Sequence, residues 1–305
     1  CAQLNNGQLF CWGRNNRGQL GRGTFDASGA PAAVSGLSGL VSMALGSEHT
    51  CVTEGALDGG ARAVRCWGVG SAGQTGLGNT LDRNQPTEPV ILTMATAPFT
   101  RLEAGGERTC VQGSGTTGWR CWGRNRDGEL GLPLARADFT SGVAAPALSQ
   151  GSIFPLSLGG RHVCLITSLR RVTCNGDNTL GQVGNGTLDS STGFRQMSSV
   201  RPTQALGTGR THTCALLREG EMPPQVFCWG DNAFGQLGDG SSVPSSQGVV
   251  RVMGLEGNVE RLVAGPEHTC AWRSDGAAWC WGRDRAAFLG PGTGERRPTA
   301  LPVRW

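Results

Sequence analysis

The stretch Cys11-Trp12-Gly13-Arg14-Asn15-Asn16-Arg17-Gly18-Gln19-Leu20-Gly21-Arg22-Gly23 decides the fold, because it returns almost residue for residue at Cys228-Trp229-Gly230-Asp231-Asn232-Ala233-Phe234-Gly235-Gln236-Leu237-Gly238-Asp239-Gly240. Looser copies open at Cys66, Cys121, Cys174 and Cys280, so six copies follow one another at separations of 52 to 55 residues. A fixed period of that length marks an array of supersecondary units. The copies are not identical: the fourth has Asn175 for Trp, the third ends in Pro133, and the sixth has Ala287 and Phe288 where Gly and Gln are expected.

A second phrase, Gly-x-x-His-Thr-Cys, precedes each of the last five signatures. It runs from Gly46 to Cys51, Gly105 to Cys110 (with Arg108 for His), Gly159 to Cys164, Gly209 to Cys214 and Gly265 to Cys270. Apolar residues two apart just ahead of it, such as Met43 and Leu45 or Leu156 and Leu158, mark half-buried strands. Between the phrases lies a hairpin. Direct pairing of Cys1 with Cys11 and of Cys270 with Cys280 leaves the loops Asn5-Asn6-Gly7 and Ser274-Asp275-Gly276, whose last Gly suits a left-handed residue. Cys164 and Cys174 have the same spacing without the Gly, and the longer segments Glu54 to Arg65 and Leu217 to Val226 place insertions at hairpin tips. One four-stranded sheet cannot bury its face alone, but six or seven arranged radially can. The expectation is therefore all-β: a β-propeller of six visible repeats forming one domain over residues 1–305.

Composition agrees. Repeat positions hold 27 of the 50 glycines, as turn and close-approach residues. The chain of 305 residues has no apolar run of the roughly 18 residues that span a bilayer. Its net charge of +4, with every basic residue an Arg, is too mild to argue for a nucleic-acid or membrane-surface protein. The absence of Lys and Tyr suggests a GC-rich bacterial source.

The two phrases resemble the repeat of the regulator of chromosome condensation family over essentially the whole chain. The resemblance implies a β-propeller, usually seven-bladed. Cys1 fits the Thr-Cys slot and Leu301 to Trp305 stop short of another Gly-x-x-His strand, so the expectation is a fragment of a longer chain or an imperfectly closed ring. A lipidated Cys1 is the minor alternative. The resemblance also brings guanine-nucleotide exchange on a small GTPase, but the loops and β-wedge that perform it match no numbered residues here. Ultraviolet-B photosensing relatives carry Trp in the second place of Gly-Trp-Arg-His-Thr, where this chain has Ser47, Gly106, Gly160, Arg210 and Pro266. Secreted enzyme inhibitors share the propeller class.

Twelve cysteines form six pairs, one per repeat: Cys1 with Cys11, Cys51 with Cys66, Cys110 with Cys121, Cys164 with Cys174, Cys214 with Cys228 and Cys270 with Cys280. Their joint recurrence argues for one cross-strand disulfide per blade, against the alternative of small apolar core residues. Persistent disulfides place the chain in the periplasm, at the cell surface or outside, and reduced cysteines would place it in the cytoplasm. His49, His162, His212 and His268 share one slot, read as a buried imidazole bonding backbone at a strand end rather than a metal cluster. Trp12, Trp67, Trp122, Trp229 and Trp281 follow the signature Cys and are read as packing between blades, which leaves Trp119, Trp272, Trp279 and Trp305 as candidates for a surface contact.

No catalytic constellation, phosphate loop, metal motif or cofactor motif emerges. Asn185-Gly186-Thr187 is a glycosylation sequon within the turn phrase, read as chance. Arg14 with Arg17, Arg124 with Arg126 and Arg283 with Arg285 could form an arc facing an anionic partner, although Asp177 and Asp231 interrupt it and a solvated rim is the plainer reading. The function expected is a non-catalytic, disulfide-stapled scaffold binding a protein or glycan through loops, as a monomer or as a module of a larger protein. GTPase regulation and enzyme inhibition are the alternatives.

Overall fold

The computed structural model describes residues 1–55, 63–86, 88–90, 99–113, 119–130, 138–144, 155–197, 202–220, 222–243, 246–255, 257–284 and 295–303. Among these, every regular element is a strand. The chain divides into two compact units, one of Cys1–Arg126 with Leu132–Ser152, the other of Asp127–Gly131 with Ile153–Trp305.

The first unit holds three antiparallel sheets. The first consists of β1 (Ala2–Gln3), β2 (Leu9–Gly13) and β3 (Ser28–Ala33), and the second of β4 (Leu40–Leu45), β5 (His49–Glu54) and β6 (Ala63–Gly68). In the second, isolated bridges from Arg65 to Pro89 and from Gly68 to Arg83 stand where other repeats have a fourth strand. The third has four strands, β7 (Phe99–Gly105), β8 (Arg108–Gly113), β9 (Trp119–Arg124) and β10 (Asp138–Ala144).

The second unit holds three four-stranded sheets. They are β11 (Leu156–Leu158) to β14 (Ser191–Gln196) through β12 (His162–Ile166) and β13 (Val172–Gly176); β15 (Thr203–Thr208) to β18 (Ser246–Arg251) through β16 (His212–Leu217) and β17 (Gln225–Gly230); and β19 (Val259–Ala264) to β22 (Arg296–Pro302) through β20 (His268–Arg273) and β21 (Ala278–Arg283). Sequential strands are neighbours in every sheet, as short hairpin connections require. The fold is of the β-propeller class.

In every sheet but the first, the two sequence phrases form the second and third strands. Cys51 pairs with Cys66, Cys110 with Cys121, Cys164 with Cys174, Cys214 with Cys228 and Cys270 with Cys280. All six cysteine pairs, including Cys1 with Cys11, are disulfides. The loops Asn5-Asn6-Gly7 and Ser274-Asp275-Gly276 close as expected, with Gly7 and Gly276 at φ 82° and 83°. In the hairpin between Cys164 and Cys174 the corresponding place is taken by Arg170 at φ 53°, an unfavourable conformation for a residue with a Cβ.

Neighbouring blades within each unit meet through a recurring hydrogen-bond device. The Gln carbonyl of one turn phrase accepts from both the Thr hydroxyl and the Trp indole of the next repeat: Gln19 from Thr50 and Trp67, Gln74 from Thr109 and Trp122, Gln182 from Thr213 and Trp229. Trp281 donates likewise to the Gln236 carbonyl at 2.9 Å. Both lone pairs of one buried carbonyl are thereby used. Trp67, Trp122, Trp229 and Trp281 are fully buried, as expected for side chains between blades. Trp12 departs from that expectation: it is 42% exposed, since among the described residues no turn phrase covers it.

Candidate interaction surface

The histidine slot is built from the same device. Nε2 of His49, His162 and His212 lies 2.8 to 2.9 Å from the hydroxyl of Thr109, Thr213 and Thr269, each in the following repeat. Thr109 and Thr213 spend their one hydroxyl proton on a Gln carbonyl, so His49 and His162 must donate from Nε2. The partner is thus a side chain of the next blade, which corrects the expectation of backbone alone. The glycine that opens the phrase is needed because the imidazole lies against it: a Cβ on Gly209 would sit 2.1 Å from the His212 ring. Where Val163 replaces Thr in the fourth repeat, the third repeat carries Arg108 in place of His.

Burial drives the protonation of these rings. It holds the His49 imidazole down at about 4, with a backbone hydrogen bond at Arg108 opposing, and holds His212 down at about 3, with the nearby His268 adding to the effect. His268 is also lowered by burial, against the pull of Asp284 and Glu267. Burial acts oppositely on an acid, pushing the Glu103 carboxyl up to about 7 despite Arg101.

The arginines expected to face an anion are engaged by carboxylates. Arg14 pairs with Glu48, Arg17 with Asp82 at 3.4 Å, Arg124 with Glu107 at 3.3 Å and Arg283 with Glu267 at 2.7 Å. Arg283 also lies over the Phe234 ring. Arg126 is exposed, and Arg285 lies outside the described residues. The sequence reading missed a rule here: the residue after Cys-Trp-Gly and the residue before His face each other within a blade. The pair is Arg124 with Glu107 and Arg283 with Glu267, is reversed as Asp177 with Arg161 at 3.6 Å, and becomes Asp231 with Thr211 at 3.1 Å. Asp177 and Asp231 therefore belong to the same pairing rather than interrupting an arc. The signal that could have revealed it is the reciprocal exchange of sign between the two slots.

Of the tryptophans expected at the surface, Trp119 is instead buried, at 3% exposure, because it stands on β9 two residues before Cys121 and shares its inward face. Trp272 and Trp279 are half-buried, the latter beneath the Arg273 guanidinium at 4.9 Å, and Trp305 lies outside the described residues. Of the two hairpin tips, most of Glu54 to Arg65 also lies outside them. The other tip is built: Pro202, Leu217, Glu219, Met222, Pro223, Gln225 and Phe227 line a cleft of about 170 Å³, with Met222 59% exposed. A second cleft, of about 360 Å³, lies on β19 and β20 and includes Arg261, Val263, Trp272 and Arg273. The Asn185 side chain accepts hydrogen bonds from the backbone and hydroxyl of Thr187 and from Asn178. Among the described residues no group of three His, Cys, Asp or Glu is placed to hold a metal, and no helix is long and apolar enough to cross a membrane.

Blades of three or four strands, joined by one carbonyl that accepts from Thr and Trp, define a repeat propeller whose candidate contacts lie at its edges and hairpin tips. Models of the regulator of chromosome condensation (RCC1) repeat match residues 6–53, 225–272 and 204–236, which identifies repeats of that kind on this β-propeller fold. The chain is similar to the ultraviolet-B receptor UVR8 of Arabidopsis thaliana, with 30% identity over 94% of this chain and 63% of the receptor. It is also similar to the human probable E3 ubiquitin-protein ligase HERC6, with 27% identity over 88% of this chain and 26% of the ligase. The chain thus spans about a quarter to under two thirds of these relatives. Yeast RCC1 (Prp20), solved bound to Kap60, superposes with a TM-score of 0.77 over 97% of this chain and 72% of that one, at 20% identity.

Proposed function

We propose that the chain is a non-catalytic binding propeller, held by its disulfides and working outside the cytoplasm in an oxidising compartment, that engages a protein partner through the hairpin tip between β16 and β17. The observation that carries this reading is the apolar cleft at that tip. Leu217, Met222, Pro223 and Phe227 give it a surface suited to an apolar side chain of a protein more than to a sugar. The tip is an insertion beyond the last paired residues of β16 and β17, Leu217 and Gln225, so it is free to serve recognition. The six disulfides support the oxidising compartment.

The test replaces residues 218–224 with a three-residue turn like Ser274-Asp275-Gly276. The Cys214–Cys228 bridge and the melting midpoint should be retained while capture of the chain's native partner falls at least about tenfold. Unchanged capture refutes the site. The likeness to yeast RCC1 at 20% identity speaks for the fold alone, and acceleration of nucleotide release from a small GTPase by the purified chain would replace this reading with exchange.

A further inference from the structure

The chain contains three Asn-Gly pairs, Asn6-Gly7, Asn175-Gly176 and Asn185-Gly186. In such a pair the glycine amide nitrogen can attack the preceding side-chain amide, because no Cβ obstructs the approach. The fold sets the three pairs in different states. Asn175 and Gly176 are buried on β13, away from the water that the reaction consumes. Gly7 donates its N–H to the Leu4 carbonyl at 2.9 Å, and the Asn6 Oδ1 accepts from one donor, the Gln8 N–H. Gly186 is exposed at φ 82°, with open space where a side chain would stand, and among the described residues its N–H makes no hydrogen bond. The Asn185 Oδ1 accepts from three donors: Asn178 Nδ2 at 3.0 Å, the Thr187 N–H at 3.1 Å and the Thr187 hydroxyl at 2.9 Å. Asn178 is itself fixed, fully buried with its Oδ1 accepting from the Val183 N–H at 2.8 Å. Donors held ready around a carbonyl oxygen stabilise the negative charge that develops there when its carbon is attacked.

We propose that Asn185 is a site of intramolecular deamidation, with Gly186 as the nucleophile and water as the co-reactant. The Gly186 nitrogen gives its proton to solvent and bonds to Cγ of Asn185; the bond from Cγ to Nδ2 breaks, ammonia leaves and a cyclic imide closes. Water then opens the ring at Cγ, giving aspartate, or at the main-chain carbonyl carbon, giving isoaspartate. The sum consumes one water, releases one ammonia and exchanges a neutral amide for a carboxylate on an exposed turn. The fifth repeat shows that the turn accepts this charge. Asp239 fills the same slot and its Oδ1 takes the same three bonds, from Asn232 Nδ2 at 3.2 Å, the Ser241 N–H at 3.0 Å and the Ser241 hydroxyl at 2.9 Å. The Gly240 N–H, by contrast, is engaged by the Pro298 carbonyl at 2.8 Å. The aspartyl product therefore keeps the turn, whereas the isoaspartyl product adds a methylene to the backbone and loses the register of these bonds.

The test incubates the whole oxidised protein in neutral to mildly alkaline buffer and follows all three pairs by peptide mass, with chromatography to separate the aspartyl and isoaspartyl products. Asn185 is expected to convert at least about tenfold faster than Asn6 and Asn175, and faster still as pH rises, because attack needs the deprotonated amide. Thr187→Val, which trades the hydroxyl donor of an exposed residue for a methyl, should slow Asn185 by about threefold or more. Asn185→Asp should leave the melting midpoint where it is, as the Asp239 turn requires, and a lowered midpoint would refute the fit of the product. An Asn185 that stays intact, or an Asn6 that converts as fast, overturns the proposal. So does a Thr187→Val variant that converts faster, since the hydrogen bonds would then be locking the amide against attack.

Discussion

His212 shows how one residue couples sequence, packing and pH. Its imidazole is neutral because it is dry, and its Nδ1 is buried without a hydrogen-bond partner among the described residues. In the unfolded chain the same group titrates near 6.5. Between that pH and about 4 the unfolded state binds protons that folded His49 and His212 refuse. These two groups therefore leave stability unchanged above pH 6.5 and remove about 1.4 kcal/mol each per pH unit as pH falls below it. Glu103 has the opposite sign: its contribution is fully present below 4.5 and is lost as pH rises through about 7. The expected observation is that the ring protons of His49 and His212 hold their neutral chemical shifts from pH 8 to pH 5. Titration of either within that range would contradict the burial described. The sequence showed His and Thr side by side in one phrase but not that they bond across copies, His49 to Thr109 and never to Thr50, because period alone carries no direction.

At the scale of the hairpin and the blade, much was legible. Direct cysteine pairing fixed the register, and a Gly at the end of a three-residue loop fixed the turn, as Gly7 and Gly276 show. Arg170 was not legible in that way, because the turn is imposed by the disulfide-paired strands and the residue adapts to it. The charge pairs were missed because each joins strands whose ends are brought together only by the register. Arg283 and Glu267 are the pair to test. Arg283→Glu should cost about 1 kcal/mol by setting two carboxylates side by side, and adding Glu267→Arg should recover most of it, as the reversed pair Asp177 and Arg161 already does in the fourth blade. A second substitution that restores nothing in thermal melting would mean the two side chains are not coupled.

For the whole molecule, repeat count and fold class followed from period and phrase, while the open faces did not, since exposure depends on which neighbour is present. Trp12 and Trp281 occupy the same slot and differ only in that respect. The disulfides set the overall chemistry: the protein taken from its native compartment should carry no alkylatable thiol and should gain 12 hydrogens on reduction, as read by intact mass. Each bridge closes a loop of only 10 to 15 residues, so reduction should remove about 2 to 3 kcal/mol per blade and lower the melting midpoint. Twelve free thiols would withdraw the oxidising compartment.

Every bridge lies within one blade and none joins two blades. Under mechanical load the covalent and the hydrogen-bonded architectures therefore part company. Tension along the backbone meets only hydrogen bonds and side-chain packing at each junction, and blades peel away singly. Within a peeled blade the chain between the two cysteines is bypassed by the sulfur link and bears no force. Each detached repeat thus keeps a knotted-off hairpin as a ready template for refolding, and the extended array is shorter than its residue count alone would allow.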